Sequence, residues 1–413
     1  MSKVNFIVLA GGTGSRFGKN PKLLQSICGK TVLDYVLELT SDPILVTTEA
    51  ISKHAVSQRA AKVVIQTNPN GSGAAFLLGI KDISEGPVIV LLGDCPLVSP
   101  STIEFIKNNI KNHDVIFGVF ATPNENSYGR IKSNQGKYKV VEYKENPEPA
   151  KLYNAGWICF GEGFIKNLPK LKQVYPELYL TQYIELAENP LAFEVSPDEA
   201  LGVNTFNEYQ QIQSIIQTRL LNNLAINGVD FRMPSRVDIN FDTQIGPNSI
   251  IHSNVAFGQN VILGSNVIVL PFSYLTDVCI GDNCTIGPFA HLRGGTMLDQ
   301  NVQIGSFCEV KNSKIDFGTK AKHVSYIGDA NIGRNVNVGA GTVICNYDGT
   351  KKSITTIEDN VFLGGNTTYV APIIIEQGAY IGAGTTIRRD VPNNTLIVTN
   401  QKHIEYKRRK CED

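Results

Sequence analysis

Three stretches of this chain hold residue types suited to phosphate and acyl chemistry. The first is the turn Leu9-Ala10-Gly11-Gly12-Thr13-Gly14-Ser15-Arg16, with Lys22 following Pro21. Without Cβ atoms, its backbone N–H groups can approach phosphate oxygens closely, and Arg16 and Lys22 add positive charge. By spacing alone it reads either as a phosphate cradle or as a tight strand-to-helix turn. It is neither a Walker loop nor a spaced G-x-G-x-x-G, which argues against an ATPase and a dehydrogenase. The second is Gly93-Asp94, which closes an apolar run. Asp94 suits Mg²⁺ as a hard oxygen ligand, or serves as a turn or capping residue. The third is His323 within Lys322-His323-Val324-Ser325-Tyr326, one of six histidines. Imidazole is the side chain best suited to proton transfer near neutral pH, although spacing alone leaves His323 a structural corner residue. Glu309 and Asp316 are acidic residues near it in sequence that could orient the ring.

The elements that must position these residues differ between the two halves. In the N-terminal half, strand-like runs at Asn5–Ala10, Ile44–Thr48, Val63–Gln66, Val88–Leu92 and Val115–Ala121 alternate with helical patterns at Leu33–Thr40, Ala74–Ile80 and Ser101–Asn109. Such alternation predicts an α/β, doubly wound, mostly parallel sheet of Rossmann-like type. Ligands sit beyond the carboxyl ends of such strands, where the glycine-rich turn and Asp94 fall. A helix over Thr205–Leu224 is expected to join the halves.

The C-terminal half is a repeat. From Ile245 the chain divides into sixes, IGPNSI, IHSNVA, FGQNVI and LGSNVI, and the frame returns repeatedly downstream. The first position is aliphatic, and Gly and Asn supply the corner dihedrals. Three such units close one triangular coil, and coils must stack to bury a core. The pattern predicts an all-β left-handed parallel β-helix over Ile239–Val391. The segment Cys345 to Ser353 overshoots the frame and must loop out of the wall.

Lys plus Arg and Asp plus Glu each number 38, so the net charge is zero and gives no reason to expect nucleic acid or a membrane as partner. No apolar run is long enough for a transmembrane helix. The first ten residues lack a cleavable signal pattern, and the eight cysteines show no metal-type pairing. A reduced, cytoplasmic environment is the expectation.

One ordered series of motifs is specific. LAGGTGSRF with PK, Gln66 with Gly71-Ser72-Gly73, Gly93-Asp94, Tyr128-Gly129-Arg130-Ile131, Val140-Val141-Glu142, Asn154-Ala155-Gly156 and Gly202-Val203-Asn204 resemble sugar-1-phosphate nucleotidyltransferases. IGPFAHLR, EVK, KHVSYIGDANIG, NVNVGAGT and CNYDG follow. Together they resemble the bacterial bifunctional N-acetylglucosamine-1-phosphate uridylyltransferase / glucosamine-1-phosphate N-acetyltransferase family. The resemblance implies a nucleotidyltransferase domain over 1–206, a linker helix over 207–227, and an acetyltransferase domain with a C-terminal tail over 228–413. It implies that Leu9, Ala10, Gly11, Gly12, Gln66, Gly71 and Ser72 take the uridine end of UTP, and that Arg16 and Lys22 hold the triphosphate. Asp94 and Asn204 would hold Mg²⁺, and Gly129, Glu142 and Asn154 the N-acetylglucosamine-1-phosphate. In the β-helix, Arg293 and Lys311 would hold the phosphate of glucosamine-1-phosphate. Tyr326 and Asn337 would contact its sugar. His323 would be the proton acceptor. Ala340, Gly365 and Ala383, with Asn346 and Tyr347 nearby, would meet acetyl-CoA at the interface of a homotrimer. Leu92, Gly365 and Asn400 depart from the family pattern, in which Tyr, Ser and Arg are usual. The basic cluster Lys407-Arg408-Arg409-Lys410 reads either as a substitute for that Arg or as a solvated tail. Two other readings are a single-activity nucleotidyltransferase trimerised by its β-helix and a non-catalytic scaffold.

Overall fold

The computed structural model describes residues 3–12, 21–68, 70–123, 126–143, 148–171 and 177–400. The chain divides into two compact units, Met1–Ile216 and Gln217–Asp413. The division falls inside the helix Phe206–Ile226.

The first unit is built on a mixed sheet. Its main strands are β1 (Asn5–Ala10), β2 (Ile44–Thr47), β3 (Lys62–Ile65), β4 (Val88–Leu92), β5 (Val115–Phe120), β6 (Tyr153–Phe160) and β7 (Pro190–Glu194). They lie in the order β7-β5-β6-β4-β1-β2-β3. All neighbours are parallel except β6, which runs antiparallel to both β4 and β5. A hairpin, Arg130–Asn134 with Lys137–Val141, extends the sheet from β6. The central strands β1 and β4 are almost wholly buried, so their sequences are continuous apolar runs with no polar alternation. The strands expected from sequence lie where they were placed. Not anticipated were β6, β7 and the hairpin, whose residues mix Gly, Asn, Pro and Lys among apolar positions.

The second unit is a left-handed parallel β-helix. Short strands pair in parallel with strands one coil ahead, as in Ile250↔Ile268, Ile268↔Thr285 and Thr285↔Gln303. One inward column, Ile251, Val269, Ile286, Ile304, Ala321, Val338, Leu363 and Ile381, is fully buried and shows how each coil supplies one layer of a shared core. The solenoid is longer than its hexapeptide frame. Asp230–Phe231 already pairs with Ile250–Ile251, and Leu396–Ile397 still pairs with Tyr380–Ile381. These end coils lack the repeat signature because one side of each has no neighbour to match.

Two coils differ from the rest. Gln303–Lys311 and Lys320–Gly328 are each nine residues long and run unbroken around a corner. They pair over most of their length, with Ser306 opposite His323 and Glu309 opposite Tyr326. The overshooting segment leaves the wall after Val343–Cys345 and returns at Thr355–Ile357, closed by a Tyr347↔Lys352 bridge.

Candidate functional site

The first constellation lies beyond the carboxyl ends of β1 and β4. Leu9, Ala10, Gly11, Gly12, Lys22, Gln66, Gly71, Ser72 and Asp94 all line one cavity of about 440 Å³. Arg16 lies outside the described residues. Gly71 has φ +86, and a side chain there would collide with the backbone carbonyl of Leu178. The absence of a side chain lets the segment carrying Leu178 and Leu180 close on the helix Gly71–Gly79. Gly73 N–H donates to Leu178 O at 2.8 Å, and Leu180 N–H donates to Ser72 Oγ at 3.0 Å.

Asn204 reaches this site from over a hundred positions away through two local devices. Val203 N–H donates to Asp94 O at 2.9 Å, which sets the two segments side by side. Thr205 Oγ1 accepts from Glu208 N–H at 3.2 Å and donates to Glu208 Oε2 at 2.9 Å, which caps the following helix. Lys22 Nζ then donates to both Asp94 Oδ2 and Asn204 Oδ1, the latter at 2.9 Å. Lys22 is 8% exposed. Two hard oxygens therefore converge on one cationic position, held here by an ammonium. That donor set fits Mg²⁺, which takes one or two protein oxygens and completes its shell with phosphates and water. Among the described residues no cluster of three or more His, Cys, Asp or Glu offers a fuller metal site.

Gly129, Glu142 and Asn154 are not in the lining of this cavity but gather together on the hairpin and β6. Asn154 N–H donates to Gly129 O at 2.9 Å, and Thr181 Oγ1 donates to Glu142 Oε1 at 2.9 Å. Leu180 and Thr181 thus connect the two groups. Arg130 is 3% exposed and fixes this region by donating to the carbonyls of Tyr128, Asn126 and Glu148.

The second constellation is on the β-helix. Arg293 pairs in register with Lys311, and its Nη2 lies 2.6 Å from Glu309 Oε1. The Lys311 amine is held below its usual pKa, first by its contact with Lys352 and that ammonium's charge, then by partial desolvation and Arg293. Three cations therefore meet, with the Glu309 and Asp329 carboxylates nearby. Lys352 was not anticipated from sequence, because only the fold of the excursion brings it back to Lys311. Beside them, Gly328 leaves room for the Tyr326 hydroxyl and the Asn346 amide, both of which would collide with a side chain there.

His323 is exposed and stands three positions before Tyr326 on the same long strand. Its neighbour Val324 has φ +25, an unfavourable backbone for a β-branched residue. Register pairing stacks four corner residues on consecutive coils, His323, Ala340, Gly365 and Ala383. Below His323 this column carries nothing larger than a methyl group. Asn337 sits on the wall before that corner, in register with Lys320 and Phe362, whereas Tyr326 lies on the wall after it. Tyr347 is exposed on the excursion, with its hydroxyl donating to Gly349 O at 2.6 Å.

Residues 6–174 match the MobA-like NTP transferase domain family. Residues 242–277 and 280–312 match bacterial transferase hexapeptide repeats, and 354–389 the hexapeptide repeat of succinyl-transferase. The chain is 35% identical over 445 residues to the bifunctional protein GlmU of Buchnera aphidicola, spanning 98% of this chain and 96% of that one. The chain belongs to the GlmU family. The GlmU proteins of Thermodesulfovibrio yellowstonii and Thermotoga petrophila are 35% and 34% identical, each across at least 96% of both chains. The likeness to these GlmU proteins thus runs through both constellations. Among the described residues, no helix is long and apolar enough to cross a membrane.

Proposed function

We propose that the chain makes UDP-N-acetylglucosamine in two steps, one in each unit. It is a bifunctional enzyme, with uridylyltransferase and acetyltransferase activities. The β-helix acetylates glucosamine-1-phosphate with acetyl-CoA, and the α/β unit then joins the N-acetylglucosamine-1-phosphate to the uridylyl group of UTP.

In uridylyl transfer, a phosphate oxygen of the sugar phosphate attacks the α-phosphorus of UTP and expels pyrophosphate. Phosphate is already nucleophilic, so the protein needs no base; it positions both substrates and offsets charge on the transferring phosphorus. The cavity beneath Gly11, Gln66, Gly71 and Ser72 receives the nucleoside. Lys22 supplies a buried ammonium to the phosphates, and Gly129, Glu142 and Asn154 receive the sugar. Asp94 and Asn204 would hold Mg²⁺, which supplies further charge neutralisation on the phosphates.

In acetyl transfer, Arg293, Lys311 and Lys352 bind the phosphate of the amino sugar. His323 takes a proton from the sugar amine as its nitrogen attacks the thioester carbonyl, and the thiolate of CoA leaves. The column Ala340, Gly365 and Ala383 gives the pantetheine arm a smooth path to His323. The observation that carries this reading is the meeting of three phosphate-binding cations with an exposed His323 at the head of a small-residue column. An exposed ladder one position further round the same corner supports assembly of the chain as a homotrimer. Phe272, Phe289 and Phe307 stack at 5.0 Å spacings and are 55%, 45% and 61% exposed. Apolar surface of this kind is covered in assembled solenoids.

The test is paired. CoA release is measured with glucosamine-1-phosphate, and pyrophosphate release with UTP and N-acetylglucosamine-1-phosphate. Both are expected. Pyrophosphate release without CoA release would leave a single-activity nucleotidyltransferase on a structural solenoid.

A further inference from the structure

A buried carboxylate stands behind the acetyl-transfer constellation. Asp329 is 7% exposed. Its Oδ1 accepts from Asn312 Nδ2 at 2.5 Å, and its Oδ2 accepts from Asn346 Nδ2. Its backbone N–H donates to Lys311 O at 3.0 Å, and its carbonyl accepts from Thr355 N–H at 3.2 Å. Asp329 therefore ties together the phosphate lysine, the first residue of the excursion and the strand to which the excursion returns. Its side-chain hydrogen-bond partners are both amides, although burying a carboxylate carries a desolvation cost that an amide or hydroxyl would largely avoid. A purely structural hub would not need the charge.

What the charge does is dictate orientation. An ionised carboxylate only accepts hydrogen bonds, so Asn346 must present its N–H₂ to Asp329 and turn its carbonyl away. Asn346 is also 7% exposed. Its Nδ2 lies with the Tyr326 hydroxyl around Gly328, and its Oδ1, which has no partner in the chain, keeps some access to solvent. That is an acceptor aimed outward from a pinned base. The nearby cations take the phosphate, and an acceptor beside them suits the amine.

We infer that Asp329 is a positioning residue of acetyl transfer, which locks the Asn346 carboxamide with its oxygen toward the amine of the acceptor sugar. It also offsets part of the mutual repulsion at Lys311, since its charge favours the protonated lysine there. The inference rests on the acetyl-transfer reading above.

The experiment compares Asp329→Asn, Asn346→Asp and the double variant with wild type. Asn at 329 offers N–H₂ where a carboxylate stood. Only one acceptor oxygen then remains for the two amides of Asn312 and Asn346, so the Asn346 amide loses its fixed orientation and can point a donor at the substrate amine. Acetyl-transfer kcat should fall by about 10–100-fold, the range common for groups that orient a ligand-binding residue. KM for glucosamine-1-phosphate should change little, because Arg293, Lys311 and Lys352 are intact. In the double variant, Asn at 329 donates to Asp at 346, whose other oxygen faces the amine, and kcat should recover about tenfold over Asp329→Asn. Uridylyl transfer should be unchanged throughout.

Wild-type kcat in Asp329→Asn would overturn the inference. So would a folded double variant no faster than the single. Should Asp329→Asn fail to fold, the double variant decides alone: folded and acetylating supports the inference, folded and inactive overturns it. Absence of CoA release by the wild-type enzyme would sink the acetyl-transfer reading itself.

Discussion

At Lys311, like charges are held together at a cost that only an anion removes. Lys352 depresses the Lys311 pKa first, with a smaller contribution from Arg293. A bound phosphate reverses the sign of that environment and raises the pKa again. Binding of glucosamine-1-phosphate should therefore take up protons in alkaline solution, in the window between the lowered and the restored pKa. Calorimetry in buffers of different ionisation enthalpy measures this uptake, and Lys352→Met should diminish it. The same variant should raise KM for the amino sugar by about tenfold or more, a charge-assisted contact being worth about 1.5–3 kcal/mol. His323→Ala should behave in the opposite way. It should lower acetyl-transfer kcat by about 10²–10⁴-fold with little change in KM. A trimeric His323→Ala enzyme at near wild-type rate would exclude the base role. At this scale the sequence was legible where motifs are local, as in the glycine-rich turn and the histidine segment. Lys352 was not, because its partners are set by a loop that returns to its own wall.

Elements bring these residues into place, and the clearest case is the start of the helix Gly71–Gly79. Its φ of +86 and the carbonyl of Leu178 both forbid a side chain at Gly71. Gly71→Ala should cost about 1–2 kcal/mol from the backbone alone, before the collision with Leu178 is counted. The melting temperature of the α/β unit should fall, and KM for UTP should rise as the nucleoside wall moves. Acetyl transfer should survive. Unchanged UTP kinetics in that variant would detach Gly71 from the nucleoside pocket. The main parallel strands could be read from sequence because burial on both faces leaves continuous apolar runs. The antiparallel strand β6 could not, since it carries Asn154 and Gly156 at a break in its register with β5. Asn154 and Glu142 both lie against Gly129 beside that irregularity. The sheet is least regular, and so least legible, around the residues proposed to receive the sugar.

For the whole molecule, the open question is what covers the phenylalanine ladder. Corner positions elsewhere in the solenoid carry Asn at positive φ, as at Asn254, Asn266 and Asn283. Phe272, Phe289 and Phe307 adopt the same backbone, at φ 61, 56 and 57, without the local hydrogen bonding that suits Asn to it. Burial of the exposed ring faces against another copy would offset that strain. Light scattering of the wild type should give a trimer, and Phe289→Glu a smaller species. Acetyl transfer should fall with the loss of assembly and uridylyl transfer should persist. A monomeric wild type at micromolar concentration would remove the assembly from the reading. The repeat announced the solenoid from its sequence, yet its periodicity is silent about contacts between copies.

The corner column has one more consequence. His323, Ala340, Gly365 and Ala383 stand one coil apart, and strands in a sheet are spaced about 4.8 Å, so the column is graduated, roughly 14 Å from first mark to last. A solenoid tolerates gain or loss of a whole coil with its inward layers still matched. Such a change below His323 would leave the fold sound while shifting every mark on the scale by one division. On the proposed path of the pantetheine arm, the number of coils between His323 and the end of the helix would be set by the length of the molecule laid along it. Stability places no such limit.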